Sequence, residues 1–293
     1  MEERKREINA KRRAAAKSQI DRIDESLSPD LLQAVQQTMD KGASSWLNAI
    51  PIEEHGLPLN KQELRDSLCL RYNLPLPNLP SYFACGEVLT CKKGGFIAQR
   101  HDTIPDLMTS HFSKVCRNAE KEPLLQPLDN EVFNLQSTVM TREARLDMKA
   151  GGFWTPGVTA FFDVRVTHVN SLSSQGKHTA TIFNEQENVK KRKINQRVMD
   201  MEPESHGYGT FTPPVFGTNG GMGLDCQKFL RTLPNKLSSK NKEPYSSVIS
   251  WLRIQLSFPV LRGSVPKNGP IDFASKNHFS LNSADGKGLV PKY

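Results

Sequence analysis

"EARLDMKAGGFW" (143–154) and "VTAFFDVRVTHV" (158–169) decide the fold. Both are short and rich in β-branched and aromatic residues, and a turn containing Pro156 and Gly157 separates them. That pattern predicts paired strands. Each strand carries an aspartate. Asp147 lies within "ARLDM"; Asp163 lies within "FFDVRV", flanked by Phe161, Phe162, Val164 and Val166. A carboxylate in an apolar strand is costly to bury unless it is paired or coordinates a cation. Two carboxylates on adjacent strands can hold one or two Mg²⁺ ions, which polarise a phosphodiester and activate a water. The plainer alternatives are a turn or edge carboxylate for Asp147, and a salt bridge from Asp163 to Arg165 or Arg145.

Next along the chain, "NEQENVKKRKINQRVMDM" (184–201) has the composition of a basic helix. Ile194 and Val198 mark its inner face. Lys190 and Lys191 precede Ile194 by four and three residues and share that face. Either is a candidate to stabilise charge at the aspartates. Arg192 is turned roughly 200° away by the helical period, and it joins Lys193 and Arg197 as a candidate contact for nucleic-acid phosphates. Glu122, expected at the end of a preceding helix, is a candidate third acid. "GTFTPPVFGTNGGMG" (209–223) predicts a strand and a glycine-rich loop, and helices are expected over 224–236 and 244–256.

Towards the N-terminus, Ser28-Pro29 predicts a helix start, with Leu31, Leu32, Val35 and Met39 as its apolar stripe and Gly42 at its end. Asn60 caps a second helix with a stripe of Leu64, Leu68 and Cys69. A third follows His101, with Leu107, Met108, Phe112, Val115, Cys116 and Ala119 at helical spacing. Residues 1–26 favour helix but are polar all round, so they need a partner to be stable. Helix, strand pair, helix predicts an α+β fold, an α/β layer. The expected divisions are a basic helical segment (1–41), a helical and cysteine-bearing region (42–105), the strand-containing domain (106–262) and an aperiodic tail (263–293).

"CGEVLTCKKGGFIAQRHD" (85–102) raises a separate question. Cys85, Cys91 and His101 give the spacing C-x5-C-x9-H, three of the four ligands zinc needs. The alternative is two buried thiols behaving as small hydrophobes. Lys92, Lys93 and Arg100 would depress thiol pKa and would also suit phosphate contact.

Composition bounds the function. The chain has 293 residues, five cysteines and a net charge of +8. An odd cysteine count at uneven spacing argues against a disulfide framework and for a reducing, intracellular compartment. The N-terminus lacks the apolar core of a secretory signal. With no apolar run near the roughly 20 residues of a membrane span, a soluble protein is expected. The charge is concentrated: eight Lys/Arg against four acids over 1–22, five against one over 186–197, and eight against one over 228–267. Such segments favour polyanions, most often nucleic acid, through phosphate neutralisation. A small-molecule substrate is not expected.

Several stretches together resemble a known family: "GASSWLNAIPI", "LNKQELRDSLCLRYNLPLPNLP", "CKKGGFIAQRHD", "EPLLQPL", "ARLDMKAGGFW", "AFFDVRV", "VKKRKINQRV" and "GTFTPPVFGTNGGMG". From about Gly42 to Arg262 the chain resembles the C-terminal region of reverse-transcriptase polyproteins from non-long-terminal-repeat retrotransposons, in the same order. There a zinc knuckle and an Arg-His motif precede a restriction-endonuclease-like domain. The resemblance implies a central mixed sheet flanked by helices. It matches Asp147 and Asp163 to the nuclease aspartates, and Lys191 or Lys190 to the family's lysine. Cys85 and Cys91 match two knuckle cysteines and His101 the Arg-His motif. The other two knuckle ligands have no counterpart, so a knuckle remnant binding Zn²⁺ weakly or not at all is expected.

No Tyr-x-Asp-Asp motif and no room for a palm domain are found, so the chain is not expected to copy RNA. The resemblance points to a retroelement fragment or a host gene descended from one. It implies a Mg²⁺-dependent DNA endonuclease that acts on double-stranded DNA and is nuclear if active. The alternatives are a nucleic-acid-binding module that has lost cleavage, and a decayed fragment without activity.

Overall fold

The computed structural model describes residues 2–50, 57–76, 96–124, 145–199 and 209–264. Cys85, Cys91, Lys92, Lys93 and the expected tail beyond residue 264 lie outside the described residues. The described chain forms seven α-helices and six strands, a mixed α+β arrangement. In chain order these are α1 (Glu2–Ser26), α2 (Pro29–Thr38), α3 (Lys61–Arg71), α4 (Phe96–Val115), β1 (Arg117–Lys121), β2 (Met148–Gly151), β3 (Thr159–Phe162), β4 (Arg165–Thr167), α5 (Thr179–Met199), β5 (Thr210–Thr212), β6 (Val215–Gly217), α6 (Leu224–Asn241) and α7 (Tyr245–Arg262). Among the described residues no helix is long and apolar enough to cross a membrane.

The sheet explains itself from the two quoted stretches. β2 and β3 pair antiparallel, with Met148 opposite Phe162 and Gly151 opposite Thr159. β1 flanks β2 and β5 flanks β3, giving the order β1-β2-β3-β5. β5 runs parallel to β3, with Phe162 opposite Thr212. The neighbouring pair β4-β6 keeps the same parallel offset, with Arg165 opposite Val215. Between the two pairs, Pro213 and Pro214 stand opposite Asp163 and Val164. Proline has no N–H to donate to a ladder, so the sheet is interrupted there and nowhere else along this run.

Side chains alternate across the sheet as period two requires. Met148, Ala150, Ala160 and Phe162 are buried in the main core with Ile104, Met108 and Phe112 of α4, Phe229, Leu230 and Leu233 of α6, and Val248 and Leu252 of α7. Phe161 points the other way and is buried with Leu146 and Phe211, against Ile194 of α5. Helices therefore cover both faces. Phe112 is the hub of the core, with ring centroids 5.2 Å from Phe153, 4.9 Å from Phe162 and 5.7 Å from Phe229. A second core joins Trp46 and Leu57 to Trp251, Ile254, Phe258 and Leu261 of α7.

The helix starts at Ser28 and Asn60 are where the sequence predicts them. The Ser28 side chain accepts from Leu31 N, and Asn60 and Glu63 form a reciprocal capping box. The faces differ from expectation. Met39 is 78% exposed and Leu64 43%. Instead α2 buries Ala34 and Gln37, because it docks through polar contacts: Gln37 Nε2 donates to Asn170 Oδ1 at 2.5 Å, and Asp40 accepts from Thr179 Oγ1 and Asn219 Nδ2. In α3 the fully buried pair is Asp66 and Ser67, while Leu68 of the expected stripe packs, half-buried, against the second core. The helix after His101 also differs. It begins at Phe96, so His101 and residue 105 lie inside it, and Ala119 falls on β1. No residue of α1 is buried, and all but half-buried Asp24 are exposed.

His111 lies 4% exposed beneath α7, its Nε2 2.9 Å from Gln255 Oε1. Burial, reinforced by the charge of Lys114, pulls its pKa from 6.5 down to about 4. The folded chain thus keeps His111 neutral where the unfolded chain protonates it. Stability is then lost as pH falls from 6.5 towards 4, by on the order of 3 kcal/mol from this group. Denaturant melts of the wild type and His111→Gln across that window should show a shallower acid-side slope for the variant. Equal slopes would remove His111 as the cause.

Candidate metal centre

The pairing of Met148 with Phe162 places the residues just outside it, Asp147 and Asp163, opposite one another on the same face of the sheet end. Both lie where the proline pair interrupts the ladder. The backbone released by that interruption holds the site. Val164 N donates to Asp147 Oδ2 at 2.5 Å, and Val164 O lies 3.2 Å from His101 Nε2. His101 Nε2 also sits 3.4 Å from Asp147 Oδ2, and its Nδ1 sits 3.2 Å from Asp102 Oδ1. His101 reaches the site because Ile104, Met108 and Phe112, three, seven and eleven residues on, form the buried face of α4.

Lys190 completes the group from α5, its Nζ donating to Asp163 Oδ2 at 2.5 Å. Asp147 sits in the bend just before β2, with 17% of its side chain exposed, and the salt bridge of Asp163 is made with Lys190. Ligand atoms of His101, Asp147 and Asp163 all lie within 4.8 Å of one another. Such a group can hold a metal ion.

Electrostatics fit that capacity. Burial pushes the Asp163 carboxyl up, against the pull of the Lys190 charge, and the Asp147 charge pushes it further up. A second carboxylate this close disfavours the ionised form of the buried one. Its hydrogen bond to Asp147 raises His101 from 6.5 to about 9, against the opposing effect of burial. The imidazole beside Asp147 and the Lys190 ammonium beside Asp163 together balance the two acids.

The other candidates fall elsewhere. Lys191 faces away from the aspartates and pairs with Asp225, because one residue of helix turns its side chain about 100°. Glu122 is not at a helix end. It follows β1 in a left-handed conformation (φ 52°), and its carboxylate pairs with Arg145 at 3.4 Å. Arg192 and Lys193 are exposed on α5. Arg100 lies on α4 and Arg197 on α5, but their side chains lie outside the described residues. The structure thus places His101 with the aspartates; the thiols expected beside it lie outside the described residues.

A neighbouring cluster was not expected from the sequence. Glu187, 2% exposed on α5, accepts the Asp225 N–H at 2.9 Å and so caps the start of α6. Asp225 is held in turn by Lys191 and Lys228. The signal was Gly223 at the N-cap, where no side chain of the helix itself can accept. A Cβ there would collide with Glu187 Oε1. This anchor fixes the rotation of α5, and with it the direction of Lys190. No protein-family model matches the chain, and no curated protein matches it.

Proposed function

We propose that the chain is a metal-dependent DNA endonuclease module with a restriction-endonuclease-like sheet. The observation that carries this is the convergence of Asp147 and Asp163 with Lys190 at the interrupted sheet end. The residues fit a divalent cation: ligand atoms of two carboxylates and an imidazole lie within 4.8 Å of one another. A bound cation supplies Lewis-acid polarisation of a phosphodiester and eases deprotonation of the attacking water.

The chain's own groups do the rest. The Val164 N–H fixes the orientation of Asp147, so the carboxylate needs little reorganisation when substrate arrives. Lys190, 23% exposed at its side chain, presents a positive charge where negative charge grows on the phosphate. Phe161 and Phe162, on opposite faces of the strand that leads to Asp163, are both buried. Exposed Arg192 and Lys193 on the same helix are placed to grip the DNA backbone, and phosphate contact of this kind carries no sequence information.

The direct test is nicking of supercoiled plasmid by purified protein with a divalent cation, stopped by chelator. Binding with no nicking under any cation would leave a nucleic-acid-binding module instead. Binding itself has a second test. Each cation that neutralises a phosphate contributes about 0.9 to the slope of log affinity against log salt. Changing Arg192 and Lys193 together to alanine should flatten that slope by up to about 1.8, equally for unrelated sequences. Lys191 is left out because it partners buried Asp225. An unchanged slope would take α5 out of the interface.

A further inference from the structure

The donor set at the sheet end is not all oxygen. His101 Nε2 lies 3.4 Å from Asp147 Oδ2 and within 4.8 Å of a ligand atom of each aspartate. Mg²⁺ takes oxygen ligands and keeps much of its water. An imidazole nitrogen is a softer donor, and it adds affinity for first-row transition ions that it does not add for Mg²⁺.

The ring is also held. Its far nitrogen, Nδ1, is 3.2 Å from the Asp102 carboxylate, the arrangement in which an outer carboxylate fixes a ligating histidine's tautomer and ring plane. Asp102 is the next residue on α4, with 65% of its side chain exposed, so no packing requirement explains its position against the ring. Helix α4 is buried through Ile104, Met108 and Phe112, so the imidazole is delivered from a rigid element.

We propose that His101 is the third ligand of this centre, that it makes the site select first-row transition ions, with Mn²⁺ as the probe, over Mg²⁺, and that Asp102 is its positioning residue. The inference rests on the reading of Asp147 and Asp163 as cation ligands. Loading costs His101 the proton on Nε2, which leaves to solvent, because a ligating nitrogen carries no hydrogen. The same nitrogen gives up its contact with the Val164 carbonyl.

The experiment measures binding, not cleavage. Free Mn²⁺ is followed by its electron paramagnetic resonance signal as the full chain is titrated, and Mg²⁺ is then added as competitor. The wild type should bind Mn²⁺ at least about tenfold more tightly than Mg²⁺. His101→Asn should lose about 10- to 100-fold in Mn²⁺ affinity while changing Mg²⁺ affinity less than about threefold. Asp102→Asn should give a smaller Mn²⁺ loss in the same direction. Asp163→Asn should lose both cations.

His101 is one-third exposed at its side chain, so its variant is expected to fold. Equal melting midpoints without metal check this, and a His101→Gln variant repeats the test if they differ. Equal wild-type affinity for the two ions, or an unchanged preference in the His101 variants, overturns the inference while the aspartate site stands. No cation bound by the wild type, or full binding by Asp163→Asn, overturns the site itself.

Discussion

Asp163→Asn is expected to abolish cation-dependent nicking, a loss of at least about 10³-fold in rate, while the protein still folds. The substitution keeps the shape of the side chain and removes the charge. The amide oxygen of the variant can still accept from Lys190, which in the wild type donates to the carboxylate at 2.5 Å. Burial opposes the charge of Asp163, but the change removes only one partner of the pair and leaves the Lys190 ammonium, 23% exposed at its side chain, without its counter-charge. A destabilisation of up to about 3 kcal/mol is expected, the low end of what breaking a buried pair costs. Nicking rates and melting curves on the same preparation separate the two effects. A variant that nicks at the wild-type rate would remove Asp163 from the chemistry. One that does not fold would show the pair to be structural.

Phe112→Ala is expected to be the most destabilising single change in the core, at about 3–5 kcal/mol. Phe112 is fully buried and its ring touches those of Phe153, Phe162 and Phe229. These belong to three separate parts of the chain, so the void left behind has no single element that can move in to fill it. Against a total stability of roughly 5–15 kcal/mol for a domain, that loss is a large share. Because Phe162 ends β3 and Asp163 follows it directly, loosening the core also loosens the site. Urea unfolding should show a lower midpoint with an unchanged slope; a shift below about 1 kcal/mol would mean that the three rings repack around the gap.

The convergence of the two aspartates is legible in the sequence because period two leaves few choices. Once "EARLDM" and "AFFDVRV" are antiparallel neighbours, the apolar residues fix the register, and a one-residue slip would turn Phe162 out of the core. The lysine is legible only as a pair. Lys190 and Lys191 both lie on the inner half of α5, and what separates them is Asp225, distant in sequence, which takes Lys191.

Spacing draws His101 to the cysteines, although its distance from Ile104, Met108 and Phe112 places it on the buried face of α4. Glu122 is misplaced for a different reason. β1 is "RNAEK", exposed at four of its five positions, and an edge strand paired on one side only needs no alternation of apolar residues. With no such pattern to mark the strand, the helical period of the sequence runs on through Ala119. The proline pair at 213–214 sits inside a stretch that reads only as a strand and a loop. Its effect, freeing the backbone of Val164 for the site, depends on which strand lies alongside.

The central claim is that Asp147 and Asp163 act as one cation site. A double-mutant cycle in plasmid nicking, with Asp147→Asn, Asp163→Asn and both together at saturating cation, tests it most directly. Residues that work as a unit are strongly non-additive. The predicted result is that each single variant loses nearly all cation-dependent nicking and the double variant is no slower than the slower single. Either single variant nicking at the wild-type rate, or losses that multiply independently in the double, would contradict it.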